Sequence, residues 1–332
     1  MCHNESNNNS LNRNQKELIM KAYVLNETGG VENLVLSEIE QPNPKADEVL
    51  VEIRAISINP VDVKTRAVTE VLNMIVGSEP PVILGWDIAG KVTAVGENIT
   101  QFVPGDSVFG MVNFLGHGKA YAEYAVAPES QLANIPANTS FEDAAATTLA
   151  ALTALQVLQS RVKQGDRVLI HAGSGGVGHF AIQIAKHLGA YVVATSSTKN
   201  RDFVMTLGAD EHIDYRQQKF EEVASDIDFV LDGMGGDVLK NSLKVVKDGG
   251  KIISLPSPEF PEDVRAYAEK HNIDVSFFMV QSNGSDMNTL KGMLETGVLK
   301  PHVSKIFAFA DLADAHLQVE SGRTVGKVIV KI

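Results

Sequence analysis

Thiols are almost missing from this chain: its 332 residues include one cysteine, Cys2. A single thiol excludes an internal disulfide and any thiolate zinc cage, and it fits a reducing compartment such as the cytoplasm. Long apolar runs are missing too. With no uninterrupted stretch of about 18 apolar residues, nothing in the sequence spans a bilayer as a helix. Positive charge is scarce, since 29 Lys and Arg face 41 Asp and Glu for a formal charge of -12. That balance repels a phosphodiester backbone and an anionic lipid surface, so neither nucleic acid nor membrane is expected as a partner.

What is present describes a globular protein of two domains, because 332 residues at 44% hydrophobic exceed what one core usually holds. Residues 1–19, rich in Asn and Ser, bury too little to order themselves and read as a tail, and Met20 offers an alternative start. From Lys21 to about Ile135, short β-type runs such as "EVLVEIRAISI" and "DIAGKVTAVG" alternate with Gly, Pro and Asp turns. This pattern predicts a partly closed barrel or a sandwich. "SFEDAAATTLAALTALQVLQSRV" then predicts one or two helices with Ser140 as N-cap. Beyond it, six apolar strands from "RVLIHAG" to "DVSFFMV" alternate with amphipathic helices, the pattern of a doubly wound parallel sheet. The chain closes with a strand, a short helix and a last strand.

Gly173, Gly175 and Gly178 form G-x-G-x-x-G directly after a strand and at the opening of a helix. There glycine lets the backbone approach a pyrophosphate, whose charge meets the helix N-terminus. About 20 residues on, where NAD sites place an acid, the second strand ends in Ser196 and Ser197, with Lys199 and Arg201 beyond. Hydroxyls and cations suit a 2'-phosphate that a carboxylate would repel, so the expected cofactor is NADPH. The alternative is that Lys199 and Arg201 are solvated charges at a helix start.

The order of "INPVDVKTR", "GWDIAGKVTAVG", "HAGSGGVG", "ATSSTKN", "TLGADEHIDY" and "SGRTVGKVIVKI" resembles the medium-chain dehydrogenase/reductase superfamily, more narrowly its zinc-independent quinone oxidoreductase and alkenal (enone) reductase branch. The resemblance covers Met20 to Ile332. It implies a GroES-like β-barrel domain over 20–139, completed by about 300–332, and a Rossmann NADP-binding domain over 140–299. Where zinc-dependent members carry a cysteine ligand this chain has Asn59, and their Gly-His-Glu motif has become Gly85-Trp86-Asp87. No metal is therefore expected, and His171, His179 and His187 read as structural or solvent-facing.

Without a metal or a Ser-Tyr-Lys relay to stabilise an alkoxide, reduction of a quinone or an α,β-unsaturated carbonyl is the natural chemistry. The resemblance assigns the pyrophosphate to Gly175, Gly176, Val177 and Gly178, the 2'-phosphate to Ser197 and Lys199, the adenosine phosphate to Tyr215 and the nicotinamide-side phosphate to Thr153. It sets Asn59 against the nicotinamide or the substrate carbonyl. Lys64 holds the position of a tyrosine found in some quinone oxidoreductases, either polarising a carbonyl or simply exposed, and His117 in a glycine-flanked loop is a further candidate. Two other readings stand beside this one, an enoyl-thioester reductase and a nucleotide-binding sensor without turnover. The resemblance also implies a homodimer through "DVSFFMV"; a strand buried on both faces explains its Phe277, Phe278 and Met279 equally well.

Overall fold

The computed structural model describes residues 18–332. Cys2 and most of the expected tail lie outside them; Ile19, the last residue of that tail, instead pairs with Glu40. It opens β1 (Ile19–Leu25), which forms a hairpin with β2 (Leu34–Glu40). Next come β3 (Glu48–Ile58), helices α1 (Pro60–Ala67) and α2 (Thr69–Val76), and then β4 (Asp87–Val95), β5 (Ser107–Met111), β6 (Tyr124–Pro128) and β7 (Ala133–Asn134). Chain reversals at Pro, Gly and Asp separate them, as the turn residues predict.

Two short helices follow, α3 (Phe141–Ala146) and α4 (Leu149–Leu158). Ser140 caps the first, its Oγ accepting from the Asp143 amide at 3.0 Å. Alanine and leucine let α4 bury almost every residue, so it serves as internal packing rather than as a surface helix. The nucleotide-type sheet then takes β8 (Arg167–Ile170), α5 (Gly176–His187), β9 (Tyr191–Ser196), α6 (Arg201–Thr206), β10 (Glu211–Asp214), α7 (Phe220–Val223) and β11 (Ile227–Asp232). It is completed by α8 (Gly236–Ser242), β12 (Val246–Ser254), α9 (Glu262–Lys270) and β13 (Asp274–Phe277). Helix α10 (Gly284–Glu295) leads to β14 (Val303–Ala308), α11 (Leu312–Glu320) and β15 (Lys327–Lys331).

The six parallel strands run in the order β10-β9-β8-β11-β12-β13, which puts the first strand at the centre and the switch in winding direction between β8 and β11. Helices cover both faces. Successive residues of one strand therefore enter different cores: Val168 and Ile170 join α4 and α5, while Leu169 faces Phe220, Leu239 and Val264. The other large sheet runs β14-β15-β3-β4-β5-β7, with β6 also paired to β3. Strand β15, the end of the chain, lies antiparallel against β3, matching Ile329 to Ser57. That return brings Lys327 beside Asn59, a pairing on which the site depends.

Strand β13 is an edge of its sheet, and Phe277, Phe278 and Met279 are half-buried. Burial on both faces is thus not their arrangement; the Arg161 guanidinium stands 5.4 Å from the Phe278 ring.

Candidate active site

The glycine-rich turn lies at the carboxyl end of β8, the crevice where open α/β sheets bind ligands. Its geometry explains its glycines individually. A Cβ on Gly178 would press into the Ala172 carbonyl and come within 2.8 Å of the Gly173 Cα, and one on Gly173 would meet the Ala194 Cβ at 3.0 Å. At Gly175 the nearest atom would be the Ala172 oxygen at 3.2 Å; at Gly176, Lys327 Cδ at 3.6 Å. The buried pair lets helix, turn and strand close up, while Ser174 to Val177 stay half-exposed. Gly175 is the N-cap of α5 and offers no side chain, so the first amides of a 12-residue helix face outward for an anion. His179 fixes this turn by a 2.9 Å bond between Nδ1 and the Gly175 oxygen, and burial brings its imidazole down to about 4.

At the end of β9, Ser197 is buried to 5% exposure, and Lys199 is exposed without an ion-pair partner among the described residues. Ser196 is turned inward instead, 2.9 Å from His212 Nε2. The nearby acid, Asp214, is already engaged: the Thr198 hydroxyl and the Arg216 amide both donate to it. Arg201 pairs with its neighbour Asp202 at 3.5 Å, and Tyr215 is 57% exposed.

Asn59 lies in a fully buried polar cluster whose extent the sequence did not reveal. It is the N-cap of α1 with Pro60 behind it, and its amide donates to Asp62 Oδ2 at 2.6 Å. Its side chain is committed at both ends: Nδ2 donates to Asp87 Oδ2 at 2.8 Å, and Oδ1 accepts from the Lys327 ammonium. Lys327 also donates to the Ile58 carbonyl at 3.3 Å, and Asp87 Oδ1 accepts from the Leu149 amide at 3.0 Å. Burial, then the Asp87 charge, raises Asp62 to about 7; burial raises Asp87 and lowers Lys327. Asn59, expected against the nicotinamide or the substrate carbonyl, has a side-chain amide that joins a buried cation to a buried anion.

Trp86, next to Asp87, is buried with Nε1 on the Gly116 oxygen at 2.9 Å. Gly85 has a φ of +88°, and a Cβ there would enter the Tyr121 ring. Tyr121 in turn bonds His316 Nε2 at 2.9 Å. Burial, then the Arg66 charge, depresses His316 to about 3. An imidazole that is neutral when folded but has a pKa of about 6.5 when unfolded loses stability as pH falls below 6.5. The stability gap between the wild type and His316→Gln is accordingly expected to narrow by about 2 kcal/mol from pH 7 to pH 5 in urea titrations.

Thr153 is buried in α4, its hydroxyl donating to the Leu149 carbonyl at 2.8 Å. Lys64 is exposed on α1. His117 is exposed 3.3 Å from Ser78 Oγ and lines a 520 Å³ groove with Phe114 and Tyr124 that includes no residue of the glycine turn. His171, bonded to Thr195 and Ser242, is buried, and His187 is exposed. Missed by the sequence reading were Lys327, Asp62 and Tyr121. Only Asp62 had a local signal, the capping spacing of Asn59-Pro-Val-Asp62.

Two family models match, the alcohol dehydrogenase GroES-like domain over residues 45–137 and the zinc-binding dehydrogenase over 207–330. The chain belongs to the medium-chain dehydrogenase/reductase superfamily and is an oxidoreductase. Within that superfamily its relatives are quinone and alkenal oxidoreductases. It is 35% identical to the 2-methylene-furan-3-one reductase of Solanum lycopersicum, over 94% of this chain and 79% of that protein. It is also 35% identical, with the same shares covered, to the chloroplastic NADPH-dependent alkenal/one oxidoreductase of Arabidopsis thaliana. The solved structure of the quinone oxidoreductase from Coxiella burnetii superimposes with a TM-score of 0.89 at 34% identity, covering 95% of this chain and all of that one.

Proposed function

We propose that this protein is an NADPH-dependent, zinc-independent reductase of quinones or α,β-unsaturated carbonyls. The observation that carries the metal-free half is the Lys327–Asn59–Asp87 chain. Asn59 stands where zinc-dependent relatives place a thiolate, and its oxygen is already bonded to an ammonium. A second cation beside Lys327 would be repelled, and an amide with two buried carboxylates lacks the soft ligands zinc prefers. The donor set does not suit zinc, whatever the name of the matching family model.

The turn suits a dinucleotide. Gly175, Gly176, Val177 and Gly178 offer backbone donors for the pyrophosphate, with Gly173 closing the turn. Ser197 and Lys199 would hold the 2'-phosphate, Ser196 would buttress that strand end, and Tyr215 and Thr153 would flank the cofactor's two halves. When bound, the cofactor supplies hydride. The residues around it orient a flat acceptor and keep water out, and Lys64, exposed on the otherwise largely buried α1, is available to polarise the acceptor oxygen. We take 20–139, completed by 300–332, as the substrate half and 140–299 as the nucleotide half. A homodimer through the edge strand β13 and a cytoplasmic location complete the proposal; among the described residues no helix is long and apolar enough to cross a membrane.

NADPH and NADH titrations of the wild type and Lys199→Ala test the cofactor. The variant is expected to lose about tenfold in NADPH affinity and nothing for NADH. Equal affinity of the wild type for both nucleotides would remove the phosphate assignment. Binding without turnover on 9,10-phenanthrenequinone, 3-buten-2-one or an acyl-CoA would favour a sensor.

A further inference from the structure

Beyond the residues given roles above, one feature of the fold concentrates unusual chemistry. Among the described residues, the buried side-chain polar atoms without a protein partner are Ser57 Oγ, Asp62 Oδ1, Thr65 Oγ1, Arg66 Nε, His316 Nδ1 and, elsewhere, Arg167 Nε. All but the last lie where α1, following the end of β3, packs on α11. Buried polar atoms are expensive to leave bare, and a cluster of them is where internal water is held. The cluster runs between two places of interest. At one end the Lys327 side chain runs beside the glycine turn, where a Cβ added to Gly176 would stand 3.6 Å from its Cδ. At the other, Arg66 pairs at 3.1 Å with Glu320, whose side chain is 46% exposed and which sits one helical turn beyond His316.

We propose that this cluster stores and relays the proton consumed by the reduction, with Asp62 as its holder, Lys327 as its exit toward the cleft, and Tyr121, His316 and internal water as its link to solvent at Glu320. This rests on the reading of the chain as an enone or quinone reductase. In enone reduction a C–H bond forms at the conjugated carbon as hydride arrives, and the C=C electron pair passes toward oxygen. The enolate then takes one proton. An N–H bond of Lys327 breaks to supply it, Asp62 returns a proton to Lys327 through water at its free Oδ1, and bulk solvent reprotonates Asp62. Each turnover thus draws one proton from solvent and leaves the cluster unchanged. The charged and titratable groups facing Asp62 are Asp87, Lys327 and Tyr121, and Arg66 acts in turn on Tyr121. Burial and Asp87 raise Asp62 to about 7, so at neutral pH about half of the molecules hold there a proton that an ordinary carboxyl would have lost.

Three measurements test this. Tyr121→Phe and His316→Gln should each lower kcat about tenfold or more while leaving the KM for NADPH within about twofold, and should raise the solvent deuterium isotope effect. Wild-type kcat should fall as pH rises past about 7, and Asp62→Asn should abolish that limb. Independently of turnover, aspartate labelled with carbon-13 should show one carboxyl titrating near 7 that Asp62→Asn removes. Unchanged kcat and isotope effect in folded variants, or no carboxyl titrating above about pH 5.5, overturns the relay. Should Tyr121→Phe not fold, His316→Gln and the carboxyl titration decide. No turnover on any acceptor with that resonance intact sinks the reductase reading and the relay's purpose with it, so the spectrum tells the two failures apart.

Discussion

Lys327→Met is expected to destabilise the protein by about 3–5 kcal/mol at neutral pH, because it leaves a buried anion without its cation. The ammonium is 2% exposed as a residue and bonds Asn59 and Ile58, while Asp87 beside it has no exposure. Methionine fills much of the volume, so the loss is electrostatic and hydrogen-bonded rather than a cavity. Its pH dependence has a definite sign. With the cation gone, the carboxyls of Asp87 and Asp62 are raised further above their unfolded values near 3.9, so the stability they permit is full below about pH 4 and is lost as pH rises through the folded values. The deficit of the variant should therefore shrink on acidification. Adding Asp87→Asn to Lys327→Met should recover more than half of it at pH 7, as a coupled pair requires. Urea titrations of the four proteins check both points, and a deficit below about 1 kcal/mol would mean that water, not Lys327, carries the charge balance.

Gly178→Ala should cost about 2 kcal/mol and weaken NADPH binding by more than tenfold, against a helix propensity that favours alanine by about 1 kcal/mol. Propensity loses because the new methyl would meet two backbone groups, the Ala172 carbonyl and the Gly173 Cα, which cannot rotate away as a side chain does. To make room, α5 must move off β8, and its amides leave the position in which they would meet a pyrophosphate. Gly176→Ala is the control, since its Cβ would come no closer than 3.6 Å to the flexible Lys327 side chain. Stability within about 0.5 kcal/mol of wild type is expected there. Thermal melts with and without NADPH separate the two, and an equal response of both glycines would contradict the geometry.

What could be read from the sequence shares a property: it is local. The turn glycines lie within six positions, the Ser140 cap bonds three residues on, and the apolar runs of β8 to β12 announce helices on both faces. The proposed cofactor half of the site follows from such patterns because a strand, a turn and a helix N-terminus are consecutive in the chain. The buried cluster is not local. Lys327 and Asn59 are 268 positions apart and meet only because β15 returns to β3. Tyr121 and His316 are 195 apart, and neither carries a spacing that marks it. Asn59 itself was singled out, but its partners decide what it does, and a single sequence does not show partners.

The Gly85-Trp86-Asp87 segment shows the same limit in a different form. Sequence comparison with zinc-binding relatives says what is missing there, and only the fold says what replaced it: a Tyr121 ring over Gly85, an indole bonded to Gly116, and an aspartate paired through Asn59 with a lysine. A protein cation stands beside Asn59, and on that arrangement the proposal of a zinc-free site rests.

The direct measurement is the rate of NADPH oxidation by 3-buten-2-one on protein dialysed against 1,10-phenanthroline, run beside untreated protein and beside NADH at equal concentration. A metal-free site that grips the 2'-phosphate predicts the same rate before and after chelation, and at least about tenfold more activity with NADPH than with NADH. A rate that disappears on chelation and returns with added zinc would contradict it.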